Sequence, residues 1–245
     1  MERTSGGGRG TAYHPVKNLL GLVFSFKLHS AYFKKEAEVE RVLIVDLFGV
    51  FLRFCHMAHD ESVLARCSAS RAKVKEFFEG PAWCGYECGT LNDIGFIEAL
   101  QKELGYEGTI EDFGERFFRS VTLDRKFYDF FQEFRVKEHA WGRVLLTNIC
   151  PVFYRLANRR HPGIFSSFEK IILSYEVGFR KPDPRIFAKA IAEKKNKDIY
   201  VFIDDVAENV AAAEAAGIRS VLFRPEMVET GELYVRLANF GMANI

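Results

Sequence analysis

The sequence lacks a membrane-spanning run. Leu19 to Phe26 is largely apolar, but it is only eight residues long and Lys27 ends it, where a spanning helix needs about 20. A surplus of charge is also missing. Thirty-four Lys and Arg stand against 33 Asp and Glu, a formal net charge of +1, so no broad electrostatic footprint for nucleic acid is expected. There is no cysteine framework either. Cys55, Cys67, Cys84, Cys88 and Cys150 are odd in number and irregular in spacing. Cys84-Gly-Tyr-Glu-Cys88 is the only close pair, and no second pair or His-x-His completes a zinc set. Free thiols in a reducing compartment are the expectation. No repeat of solenoid period appears. What remains is an ordinary globular composition, 48% hydrophobic and 27% charged over 245 residues, which excludes global disorder. The 24 phenylalanines are read first as core, with the lining of an apolar cavity as the alternative.

The first 40 residues differ from the rest. Ser5-Gly-Gly-Gly-Arg-Gly10 is a flexible opening. No acidic residue lies between Glu2 and Glu36, while Arg3, Arg9, Lys17, Lys27, Lys34 and Lys35 are basic. A transit peptide for an organelle and an extra helix packed on the core both fit. A secretory signal fits less well, because no small-residue cleavage site follows the apolar run. Residues 1–40 are therefore expected to be an extension, mobile at least through residue 10. The protein is expected in the cytoplasm unless that extension directs it to an organelle.

The rest is organised around Arg41-Val-Leu-Ile-Val-Asp46-Leu-Phe-Gly-Val50. Four apolar residues, three of them β-branched, run into an aspartate, and Gly49 punctuates the end. That pattern suits a parallel strand buried on both faces. Further strands are expected at 143–147, 170–174, 199–203 and 220–223, with helices between them. Strands alternating with helices imply βαβ units and a parallel sheet. Between about 57 and 135 the pattern is helical instead. Ser62 to Phe78 reads as one helix, Pro81 with Gly80, Gly85 and Gly89 as a loop, Asn92 to Leu104 as a helix capped by Asn92 and closed by Gly105, Thr109 to Ser120 as a helix near a capping box, and Leu123 to Phe134 as an aromatic helix.

Polar residues close four of the expected segments: Asp46, then Thr147-Asn148, then Lys181 after the 170s strand, then Asp204-Asp205. Taken singly they read as caps, turns and a solvated lysine. In an open α/β sheet, however, the carboxyl ends of the strands line one crevice. Their chemistry is coherent. A carboxylate can act as nucleophile in phosphoryl transfer. Grouped carboxylates call for a cation, and all-oxygen ligands suit Mg²⁺. A hydroxyl, an amide and an ammonium can hold phosphoryl oxygens.

These segments, with Ser174-Tyr-Glu-Val-Gly-Phe-Arg-Lys181-Pro-Asp-Pro-Arg-Ile-Phe and Val-Phe-Ile-Asp204-Asp205-Val-Ala-Glu-Asn, resemble the four motifs of the haloacid dehalogenase-like (HAD) hydrolase superfamily in order and spacing. The resemblance covers about residues 41–245. It implies a three-layer Rossmann-like α/β core (41–56 and 136–245) with a parallel sheet, plus a helical cap domain (57–135). By position, Asp46 would be the nucleophile and a Mg²⁺ ligand. Thr147 would hydrogen-bond the phosphoryl group with Asn148 beside it, and Lys181 would neutralise charge. Asp204, Asp205 and the backbone carbonyl of Phe48 would complete the metal site. A small phosphorylated substrate is implied, with no nucleic acid or membrane partner. Trp83, Tyr86 and several phenylalanines are candidate substrate contacts from the cap.

The pattern breaks at Phe48. Phosphatases of the superfamily carry there a second aspartate, which protonates the leaving oxygen and then activates water. Val50 stands where a threonine is usual. Three readings follow: a phosphatase in which another group replaces the aspartate, His56 and His59 being weak candidates; a 2-haloacid dehalogenase, whose members carry an aromatic residue at that place and need no metal; or a catalytically weak member kept for binding. The Asp204-Asp205 pair favours the first, since uncompensated carboxylates facing Asp46 would be costly without a cation.

Overall fold

The computed structural model describes residues 40–56, 60–192 and 198–241. The expectations for the N-terminal extension, and for His59, lie outside the described residues. No helix among those described is long and apolar enough to cross a membrane.

Strand β1 (Arg41–Val45) is the middle of a five-stranded sheet. Strands β4 (Gly142–Thr147) and β5 (Lys170–Leu173) extend it on one side, β6 (Ile199–Asp204) and β7 (Arg219–Leu222) on the other. All four pairings are parallel. Val45 registers with Leu145 on one side and Ile203 on the other, so the carboxyl ends of the three central strands open at the same edge, β4 running on to Thr147 and β6 to Asp204. The chain moves outward from β1 through β4 and β5, then returns to build β6 and β7 on the opposite side. The carboxyl end of β1 is therefore a topological switch point, where such sheets bind ligands.

Apolar residues occupy both faces of the strands because both faces are covered. Val42 and Ile44 pack with Val144, Leu146, Tyr200 and Phe202 against helices α10 (Pro184–Ala190) and α11 (Ala207–Ala215). Leu43, Val45, Leu145 and Ile203 face the opposite layer, with α6 (Arg125–Lys137), α8 (Pro162–Phe165), α12 (Glu226–Glu229) and α13 (Glu232–Asn239). This is the three-layer α/β arrangement expected from the sequence.

Between β1 and β4 the chain makes a short antiparallel ribbon of β2 (Leu52–Arg53) and β3 (Thr122–Leu123). Arg53 fastens it, donating from Nε and Nη2 to Asp124 Oδ2 at 2.8 and 2.6 Å. Among the described residues, five helices lie between the two strands: α1 (Glu61–Leu64), α2 (Arg71–Phe78), α3 (Pro81–Glu87), α4 (Asp93–Leu104) and α5 (Ile110–Phe117). Asn92 and Thr109 cap α4 and α5 through their side chains, and Gly105 ends α4 in the left-handed region, as read from the sequence.

Three local expectations change. The single helix of 62–78 is two, each with its own cap, Asp60 and Ser70. The loop at Pro81 is helix α3. Its proline occupies the first turn, where the missing N–H costs nothing. Helix α6, grouped with the insertion in the sequence reading, packs on core residues instead. Phe127 stands 5.0 Å from Phe223, Phe131 stands 5.0 Å from Phe168, and both meet Phe51. The ribbon encloses residues 54–121.

Candidate active site

Asp46 follows directly on β1, and its backbone N–H donates to Ile203 O on β6 at 3.0 Å. Lys181 reaches in from the segment after α9 (Ser174–Val177). Its Nζ lies 2.8 Å from Asp46 Oδ1 and 2.5 Å from Asp204 Oδ2. Asp204, at the end of β6, is fully enclosed. It accepts from Val206 N at 2.8 Å and from Asn209 Nδ2 at 3.0 Å. The carboxylates of Asp46, Asp204 and Asp205 each place an oxygen within 4.8 Å of the others.

Three carboxylates and one ammonium leave two negative charges in a mostly buried space. Burial is the largest influence on Asp46 and pushes its carboxyl up; Lys181 pulls it back, while Asp204 and Asp205 push the same way as burial. Burial also raises Asp205, with Asp204 adding to it. Burial works against the Lys181 ammonium, but Asp46 and Asp204 outweigh it and hold its pKa above the ordinary value. An all-oxygen donor set with excess negative charge is what a hard divalent cation requires, so these residues fit Mg²⁺.

Asn148 holds Lys181 in place. Its Nδ2 donates to Lys181 O at 2.9 Å and its Oδ1 accepts from Lys181 N at 2.7 Å. The loop behind is braced by Ser174 Oγ, which accepts from Ile149 N and donates to Ile149 O. Thr147 is completely buried, and its hydroxyl donates to Asn148 O at 3.3 Å.

A cavity of about 280 Å³ brings the cluster to solvent. Asp46, Asn148, Lys181, Asp205 and Asn209 supply its polar part; Thr147 is not among its lining residues. Phe48, Phe54, Trp83, Phe117, Phe153 and Val206 supply an apolar wall. Phe48 meets Phe54, Phe117, Phe118 and Phe153 edge-on, with centroids 5.3–6.4 Å apart. Of the aromatic contacts expected from the insertion, Trp83 and Phe117 line the cavity. Tyr86 does not: it is fully buried, stacked on Phe96 at 4.1 Å, with its hydroxyl donating to Asp93.

His56 lines the cavity as well. Two charged residues that the sequence reading passed over join it, Glu87 from α3 and Arg180 beside Lys181. The sequence did hold a signal for α3: Pro81 marks a helix start, which sets Trp83 and Glu87 four residues apart on one face.

Fold and strand-end carboxylates together define a class. The family model for haloacid dehalogenase-like hydrolases matches residues 40–217, and the chain belongs to that family. Among curated proteins it is similar to the drimenol cyclase drtB of Aspergillus calidoustus, 31% identical over 189 residues that cover 75% of this chain and 34% of that protein. A phosphoserine phosphatase of Thermus thermophilus is 28% identical over 147 residues, 57% of this chain and 55% of that one. The chain thus spans between a third and about half of the length of these curated relatives. Among solved structures, a HAD family enzyme of Bacteroides thetaiotaomicron, crystallised with magnesium and inorganic phosphate, superposes with a TM-score of 0.65 at 19% identity, over 76% of this chain and 95% of that one. A HAD-like hydrolase of Porphyromonas gingivalis does so with a TM-score of 0.64 at 22% identity, over 81% and 98%. These structures share the fold.

Proposed function

We propose that this hydrolase is a Mg²⁺-dependent phosphatase of a small phosphorylated metabolite whose body is apolar. The observation that carries the reading is the meeting of Asp46, Lys181 and Asp205, with Asp204 enclosed behind them, at the polar end of a cavity whose other wall is aromatic. Asp46 attacks phosphorus and an aspartyl phosphate forms; water then releases inorganic phosphate and frees the carboxylate. Lys181 stays protonated between Asp46 and Asp204 and offsets the phosphoryl charge. Asn148 fixes the position of Lys181 through its backbone, and Thr147 supports Asn148. Asp46, Asp204, Asp205 and the backbone carbonyl of Phe48 would hold Mg²⁺, which when bound neutralises charge on the phosphoryl oxygens. The helical insertion of residues 54–121 acts as the cap, supplying Phe54, Trp83 and Phe117 to the apolar wall and limiting water.

The relatives support the two halves of this reading separately. One is named for phosphoserine as substrate, the other for drimenol, an apolar alcohol. The wall of phenylalanines beside the nucleophile favours the apolar body. A second reading, the 2-haloacid dehalogenase, rests on Phe48, since a departing halide needs no proton. The excess of carboxylates around Lys181 weighs against it.

The test is hydrolysis of an aryl phosphate with and without Mg²⁺, beside an Asp46→Asn control. Turnover that needs both Mg²⁺ and Asp46 is the expected result. If no condition gives turnover, the phosphatase reading fails. Halide release from 2-haloacids without metal would then establish the second reading, and its absence would leave a binding protein.

A further inference from the structure

We propose that Glu87, supplied by the helical insertion, is the acid and base that Phe48 cannot be; this rests on the phosphatase reading above. Helix α3 presents one face to the cavity, and Trp83 and Glu87, four residues apart, both line it. The Glu87 side chain is only 9% exposed. Arg180 Nη1 stands 3.0 Å from its Oε2, close enough for an ion pair but not aligned for a hydrogen bond. That same nitrogen donates instead to Cys84 Sγ at 3.1 Å. Glu87 thus lines the cavity that holds the nucleophile, and its Oε2 is a buried carboxyl oxygen without a hydrogen bond. A buried carboxyl oxygen that lacks a hydrogen bond is costly as a carboxylate, which favours holding a proton there.

The charges around it allow both protonation states near neutrality. Burial raises its carboxyl to about 7, while Arg180 and Lys181 pull it down. The thiols of Cys84, Cys88 and Cys150 are the other titratable groups beside it. Asp46, Asp205 and His56 line the same cavity. A catalytic acid works best with a pKa near the working pH.

In the first half-reaction an Asp46 oxygen bonds to phosphorus and the ester P–O bond breaks. The electron pair stays on the leaving oxygen, and the Glu87 proton moves to it, so the alcohol departs neutral. In the second, Glu87 as carboxylate takes a proton from water. The water oxygen bonds to phosphorus, and the bond to Asp46 breaks. Inorganic phosphate leaves, and Glu87 ends protonated as it began.

The experiment compares octyl phosphate, a poor leaving group, with dinitrophenyl phosphate, which departs without a proton. In Glu87→Gln, kcat on octyl phosphate should fall about 10²–10⁴-fold. Dinitrophenyl phosphate should still give a burst of one phenolate per enzyme, followed by slow turnover, because only the second half-reaction then needs the base. In the wild type, kcat/KM for octyl phosphate should decline as pH rises past about 7, while the burst rate on dinitrophenyl phosphate should not. That measurement stands even if the variant does not fold. Equal losses on both substrates with no burst, or octyl phosphate turnover within about threefold of wild type, would assign Glu87 to clasping Arg180 and overturn the proposal alone. A wild type that releases nothing from either substrate would overturn the phosphatase reading first, and this one with it.

Discussion

The α-carbon of Gly49 stands so close to the Asp205 carboxylate that a β-carbon on it would fall 2.0 Å from Oδ2. Gly49 also has a φ of +88°, in the left-handed region, and its N–H donates to Leu52 O at 2.7 Å. The turn after the nucleophile and the acidic pair after β6 are thus fitted to each other without room for any side chain.

Gly49→Ala should therefore push Asp205 out of the cluster. The expected result is a loss of at least about tenfold in Mg²⁺-dependent activity, with the Mg²⁺ concentration for half-activation rising in step. A Mg²⁺ titration of wild type and variant checks it. A lower melting temperature with an unchanged Mg²⁺ requirement would mean that the glycine serves only the backbone.

Lys181→Met removes the one ammonium between Asp46 and Asp204, both buried. Breaking a buried ion pair on one side typically costs about 3–5 kcal/mol, because the partner charge is left uncompensated. Stability in Mg²⁺-free buffer should fall by about that much, and added Mg²⁺ should restore part of it by binding the folded state. Urea denaturation with and without Mg²⁺ measures both. A variant as stable as wild type in metal-free buffer contradicts the prediction.

Phe54 is the wall residue best suited to substitution, being 39% exposed while touching Phe48 and Phe117. Phe54→Ala should raise KM about tenfold for octyl phosphate, the equivalent of about 1.4 kcal/mol of lost apolar contact. For glycerol phosphate the change should stay within about twofold. Parallel steady-state kinetics on the two substrates decide it, and equal shifts would mean that the wall does not select an apolar body.

Glu87 also makes a prediction about folding. Burial lifts its carboxyl from the ordinary 4.5 to about 7, so between those values the folded protein holds a proton that the unfolded chain has released. The stabilising contribution is full below about 4.5 and is lost as pH climbs through about 7. Wild type should lose stability relative to Glu87→Gln across that window, by at most about 3.4 kcal/mol. Denaturation curves of both proteins at several pH values test the sign. A difference that does not grow with pH would remove the buried carboxyl from the account.

Asp46, Lys181, Asp204 and Asp205 were legible because each closes a short local signal, an apolar run or a proline turn, and a parallel sheet brings such ends together. Asn148 was legible as polar but not as the clamp on Lys181, since that pairing crosses from one loop to another. Glu87 was missed for a local reason and a distant one. Pro81 and Gly85 looked like loop punctuation, although proline suits a first helical turn. Its approach to Arg180 comes only from the fold. Tyr86 misled in the opposite way: a tyrosine beside a tryptophan suggested a contact surface, but helical spacing turns it into the stack on Phe96. Helix α6 is as rich in phenylalanine as α5, yet it packs on core residues. Nothing in the residue types tells which aromatic cluster a helix will join.

The ribbon of Leu52–Arg53 with Thr122–Leu123 has a consequence for how this chain can change. Its two strands lie side by side, so the insertion leaves the core and re-enters it at points about 5 Å apart, a gap that any bundle with similarly spaced ends can bridge. The insertion is in that sense a cassette. Exchange there would replace Trp83, Glu87 and Phe117 together and leave Asp46, Lys181 and Asp204 untouched. With the roles proposed above, leaving-group chemistry and choice of substrate body would then be inherited as one package, apart from Asp46 and its counter-charges.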